Sequence, residues 1–149
     1  MITYYTANNV LSAMFGRSSG ASIASSAYLG LSKTEPAPDG TNVTEPSGNG
    51  YQRVFLGTYG SSLTQKMGAP SQGRITNSEE IHFNKSTGAW LNGDSIPYAV
   101  LYSAQTGGTL VAYMDLQTAI NVTGANVVPV ISLGDLVFEF DYPSQQVGE

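Results

Sequence analysis

Apolar and polar positions along this chain change period once. From Thr6 to Arg17, the residues Val10, Leu11, Met14 and Phe15 recur at helical spacing on one face. Thr6 suits an N-cap and Gly16 a stop. The spacing predicts a helix over Thr6–Arg17, too short to persist unless it docks on its own domain or on a neighbouring subunit. The small-residue tract Ser18–Ser26, SSGASIASS, reads as a connector. From Ala27 onward the period is two. Candidate strands are Tyr28–Ser32, Tyr51–Gly57, Glu80–Phe83, Pro97–Ser103, Thr109–Asp115, Ala119–Val122, Val127–Leu133 and Leu136–Tyr142. In the last, Leu136, Phe138, Phe140 and Tyr142 share one face while Glu139 and Asp141 take the other, as in a half-buried strand. Gly107-Gly108 reads as a hairpin turn and Gly134-Asp135 as a second. Pro129 favours a strand start or an edge. Short strands with long connections predict an all-β fold, a two-sheet, jelly-roll-like β-sandwich over residues 27–149. Residues 1–26, a short N-terminal helix with its connector, read as an attachment element.

Two polar stretches interrupt the alternation. Lys33–Gly50 carries Pro36, Pro38, Gly40, Pro46, Gly48 and Gly50, residues that fix or permit particular backbone angles. Connections this long inside a compact domain are uncommon unless they are functional or disordered, and the punctuation here predicts a shaped excursion. Gly57–Asn77 reads as a second surface excursion.

The first excursion also carries a resemblance. Thr44-Glu45-Pro46-Ser47-Gly48, then Gly50-Tyr51, Arg53 and Val54, together with Tyr28, Leu31, Ser32, Thr34, Pro36, Asp39, Gly40 and Thr41 upstream, form a pattern ending in TEPSGxGYxRV. The pattern resembles that of small tailed-bacteriophage virion proteins of the tail and tail-fibre type. Ile81-His82-Phe83, Thr87-Gly88-Ala89-Trp90, Ala99–Leu110 and Gly134-Asp135-Leu136 fit later parts of it. The chain departs from it at Leu91–Ser95, which follow Trp90, and at Tyr102-Ser103-Ala104. The resemblance implies a virion protein, assembled in the bacterial host cytoplasm, on either tail or head.

Composition narrows the function classes. Only 11% of the 149 residues are charged, against about 25% in typical domains. That suits a surface largely covered by neighbours, since interfaces are depleted in Lys, Glu and Asp. A net charge of −5 with six basic residues argues against nucleic-acid binding, which needs clustered Lys and Arg. No cysteine is present, so thiolate metal sites and disulfides are excluded. The N-terminal pattern is not that of a signal peptide, and no apolar run has the length of a membrane span.

Catalytic chemistry finds little support. His82 stands alone among histidines, between two residues that point to the opposite face. Glu79 and Glu80 are adjacent and diverge on a strand, which is poor geometry for acid–base work. There is no G-x-S-x-G elbow and no phosphate-binding glycine loop. Asp39, Glu45, Asp94 and Asp135 sit beside turn residues, where capping or Asx turns account for them better than Ca2+. Sequons at Asn42, Asn84 and Asn121 arise readily in a chain so rich in Asn, Ser and Thr. No cofactor, no metal and no enzyme activity are expected.

Nine tyrosines and one tryptophan are open to two readings. They line the core and its rim, or they make contacts, since such rings offer flat area at low entropic cost. On the second reading Tyr4, Tyr5, Tyr59 and Tyr113 are contact candidates, with Trp90 and Tyr113 placed to stack on a glycan. The leading expectation is a non-enzymatic virion structural protein of the tail or tail fibre. It would assemble in symmetric copies, a trimer being one form, and contact neighbouring virion proteins. Val10, Leu11, Met14, Phe15, Pro36, Asp39, Glu45, Pro46, Tyr51, Arg53 and Tyr59 are the expected interface residues. The alternatives are a capsid decoration protein and a glycan-binding host-adhesion module.

Overall fold

A computed structural model describes residues 1–17 and 24–139. The fold is all-β apart from short helices. Helix α1 spans Tyr4–Met14 and is followed by strands β1 (Ser26–Ser32) and β2 (Val54–Thr58). A one-turn helix α2 (Leu63–Lys66) leads to β3 (Arg74–Thr76) and β4 (Ile81–His82). Strands β5 (Ile96–Tyr102), β6 (Leu110–Ile120), β7 (Val130–Ile131) and β8 (Val137–Glu139) complete the order. A four-stranded antiparallel sheet runs β2-β1-β5-β6, and two ribbons pair β3 with β8 and β4 with β7. The arrangement is sandwich-like. Among the described residues its strands divide into four, two and two.

Alternation along the strands builds two apolar layers. Leu29 and Leu31 of β1, Ala99 and Leu101 of β5 and Ala112 and Met114 of β6 face one way. They pack with Ile81, Phe83, Trp90, Ile131 and Leu136 from the ribbons and their flanks. On the sheet's other face, Val100, Leu110 and Tyr113 are buried with Val43 and Tyr102 packed against them. The Lys33–Gly50 excursion therefore roofs the second face of the sheet.

Several expectations are corrected. The helix begins earlier, with Thr3 as N-cap residue, because the Thr3 and Thr6 hydroxyls both donate to β6, at Leu110 O and Val111 O. It ends as expected at Gly16 (φ 63°), where Arg17 N and Gly16 N bond back to Ser12 O and Ala13 O in a Schellman pattern. The two strands expected over Thr109–Asp115 and Ala119–Val122 are one, because Leu116 and Ile120 keep the buried set going through the polar stretch. The Gly57–Asn77 excursion contains α2 and β3 and buries Met67 and Asn77. Gly107 and Gly108, with φ of 64° and 75°, turn the β5–β6 hairpin. Gly134-Asp135 is a turn but not a hairpin, since β7 and β8 pair with different partners. Pro129 immediately precedes β7, and its carbonyl accepts from Phe83 N. Phe140, Asp141, Tyr142 and most of the Ser18–Ser26 connector lie outside the described residues.

Two buried polar side chains hold the ribbons in place. Asn77, 1% exposed, accepts from Gly134 N and Leu136 N and donates to Glu79 O and Ser132 O. Ser86 donates to Gly124 O and accepts from Val127 N. Buried polar groups satisfied in this way rigidify a fold.

Candidate functional site

The roofing loop is closed by a clamp. Arg53 Nε and Nη2 donate to the two oxygens of Glu45 at 2.9 and 2.7 Å. Arg53 Nη1 donates to Ala104 O and Gly107 O in the β5–β6 turn, and the guanidinium lies 3.5 Å from the centre of the Tyr102 ring. Tyr51 Oη donates to Glu45 Oε1 at 2.6 Å and accepts from Leu31 N. Planar bidentate pairing of this kind is the geometry arginine provides and lysine does not. Burial first, and then the Glu45 carboxylate, push the Tyr51 phenol far above its ordinary pKa. Beneath them Gly30 leaves room that no other residue would, since a Cβ there would stand 2.5 Å from Glu45 Oε1.

The rest of the loop is similarly tied. Asp39 Oδ1 accepts from Thr41 N and Thr41 Oγ1, an Asx turn whose bonds hold its carboxyl below the usual range. Pro36 and Pro46 are buried. Trp90 is 1% exposed, and its Nε1 donates to Asn49 O. Its ring meets Tyr51 edge-on and Phe83 at a steep angle. Tyr113 is 3% exposed, opposite Val100 beneath the loop. Neither ring can receive an external sugar, which corrects the glycan-stacking expectation at both positions. Both are buried by partners outside their immediate sequence, Asn49, Tyr51 and Phe83 for Trp90 and Val100 and Val43 for Tyr113.

The expected interface residues thus fall into two groups. Glu45, Pro46, Tyr51 and Arg53 meet in the clamp and its surroundings, with Pro36 and Asp39 further along the same loop. The α1 residues stand apart. Leu11, Met14 and Phe15 are 50%, 71% and 74% exposed, and Val10 is half-buried. The helix is held at its start by Thr3, Thr6 and the Tyr4 N bond to Pro38 O. Among the described residues, Leu11, Met14 and Phe15 are not covered by the helix's own domain.

Beside the start of α1 lies an apolar groove of about 620 Å3, walled by Ile2, Leu56, Tyr59, Leu63, Met67 and Phe138. Tyr59 Oη is buried there without a hydrogen-bond partner among the described residues. The groove had no signal in the sequence, because its walls come from separate elements. Among the described residues no three His, Cys, Asp or Glu side chains gather as a metal site, and no helix is long and apolar enough to cross a membrane.

Together these features define a small β-structural protein whose polar groups tie its own loops and whose apolar helix end faces outward. The chain belongs to the Gp80 family, whose model, described as podophage GP4 fiber I protein gp80, matches residues 1–139. That membership makes it a phage fibre-type protein and implies a component of the virion. Comparison with curated proteins gives no match.

Proposed function

We propose that this chain is a non-enzymatic structural subunit of a podophage tail fibre. It assembles in symmetric copies through α1 and the adjoining groove. Leu11, Met14 and Phe15, exposed at the end of a helix whose start is bonded to β6 and to Pro38 O, carry this reading. Contiguous exposed apolar surface on a soluble protein marks an interaction site, and burying each such side chain is worth about 1.5–3 kcal/mol. Tyr59, at the groove wall, is the contact tyrosine of this surface. Such copies close into a cyclic oligomer, a trimer being one form.

Light scattering on the purified chain tests the assembly. The expected result is an oligomer that the Leu11→Ser, Phe15→Ser double variant converts to a folded monomer. A wild-type chain that is monomeric at high concentration overturns it. Mass spectrometry of purified virions tests the location. A copy number far below that of the major capsid protein places the chain on the tail, and hundreds of copies would make it a head decoration protein instead.

A further inference from the structure

The apolar end of α1 and the apolar groove are separate parts of the same molecule. Leu11, Met14 and Phe15 stand at i, i+3 and i+4 along the chain, so they form one continuous patch on the helix surface. Among the described residues, no charged side chain walls the groove, and its mouth carries the exposed residues Gly60, Thr64, Ala69 and Pro70. Tyr59 Oη in the wall is a buried donor without a partner among the described residues.

The patch stands away from the groove of its own copy. Ile2 and Thr6, before and within the first turn of the helix, are wall residues, and no residue of α1 beyond Thr6 is one. From Thr6 to Phe15 is a step of nine residues, a rise of about 13–14 Å at about 1.5 Å per residue. The bonds of Thr3 and Thr6 to β6 and of Tyr4 N to Pro38 O fix the start of the helix. The helix therefore leads its apolar end out of reach of the groove beside its start.

We propose that the groove seats the α1 end of a second copy, with Leu11, Met14 and Phe15 of one copy set against Leu56, Leu63, Met67 and Phe138 of the next. This rests on the assembly through α1 proposed above and specifies what the helix end meets. Each copy carries one helix end and one groove, so the contact runs head to tail, and its repetition closes the ring. Both sides are apolar, so no charge is buried without a partner. The end of a helix also brings carbonyls that helical bonding leaves over, the kind of acceptor that Tyr59 Oη lacks. Phe15 alone buries about 150–250 Å2 when covered, out of the roughly 800 Å2 per partner of a stable interface. The three side chains thus form its centre, as anchors in a pocket do, and a surface poor in charge surrounds them, since only 11% of the residues are charged.

The chain has no cysteine, so introduced thiols report this contact without background. Met14→Cys and Ala69→Cys chains, both altered at exposed positions, are mixed in equal amounts, joined with a short bis-maleimide linker and weighed by mass spectrometry. The expected product joins one chain of each kind. A product made chiefly of two Met14→Cys chains would show helix ends packing on each other and overturns the proposal. Ala69→Glu and Thr64→Arg, also at exposed positions of the groove mouth, should each weaken the oligomer about tenfold or more in sedimentation, with the far-ultraviolet circular dichroism unchanged. An oligomer that the Leu11→Ser, Phe15→Ser variant dissociates and that both groove variants leave intact overturns this seat but keeps assembly through α1. A wild-type chain that stays monomeric overturns the assembly itself, and this proposal with it.

Discussion

A methyl group added at Gly30 would meet Glu45 Oε1 at 2.5 Å and Tyr51 Oη at 2.8 Å. Neither atom can withdraw without breaking the clamp. Gly30→Ala is therefore expected to cost about 1–3 kcal/mol, read from urea unfolding followed by Trp90 fluorescence. Arg53→Met leaves the Glu45 carboxylate against Tyr51 with no cation. The loss should be about 3 kcal/mol, the low end for a broken buried pair, because the Glu45 side chain is 21% exposed. Arg53→Lys should recover little, since an ammonium cannot span two carboxylate oxygens and two carbonyls. Tyr51 sets an alkaline limit. Its folded pKa is raised above the ordinary value of 10.0, so the folded state holds a proton that the unfolded chain releases. Its contribution is complete below about pH 10 and is lost as pH rises beyond it, by up to about 1.4 kcal/mol per pH unit. The urea midpoint should fall above pH 10, and a flat profile to pH 11 would contradict this account. The motif picked out Glu45, Tyr51 and Arg53, but the clamp was not legible in it. It needs Tyr102, Ala104 and Gly107, which the β5–β6 hairpin brings from fifty residues away. Asn77 and Ser86 gave no signal, because polar side chains look alike in sequence until their burial is known.

At the scale of elements, α1 was legible in its period and its stop, and illegible in its anchor. Its hold on the body rests on Thr3 and Thr6, each bonded to β6 carbonyls. Hydrogen bonds of this type contribute about 0.5–1.5 kcal/mol each. The Thr3→Val, Thr6→Val variant is thus expected to release the helix while the sheet stays folded. Amide exchange should speed up across residues 4–14 and stay slow in β1 and β5; equal loss of protection throughout would show that the helix is integral to the core. The ribbons were harder to read. β3, β4, β7 and β8 are two or three residues long, too short for a period to register. What makes them strands is their pairing, and that is set by Asn77, Ser86 and the buried side chains around them.

Across the whole molecule, exposed electrostatics contribute little. The Lys33–Asp94 and Lys66–Glu79 pairs are about half exposed on every side chain. Such pairs are worth about 0.2–1 kcal/mol and are screened by salt. Raising NaCl from low to high concentration should therefore leave the melting temperature almost unchanged, and a large drop would show that charge carries the fold. Folding should be slow, because Met1–Thr3 bonds to residues 110–113 and β1 to β5. Topologies of this type fold in milliseconds to seconds, and stopped-flow refolding with the Trp90 signal measures it. The sequence by itself determined the β class, the helix, the hairpin at Gly107-Gly108 and the shaped loop, because these follow from local period and from residues with restricted or unusual backbone angles. Only the tertiary structure decided which aromatics are buried, that the conspicuous loop is locked onto the sheet, and that the apolar end of α1 is left facing outward. Those outcomes depend on which side chains meet across long separations, and one-dimensional spacing does not contain that.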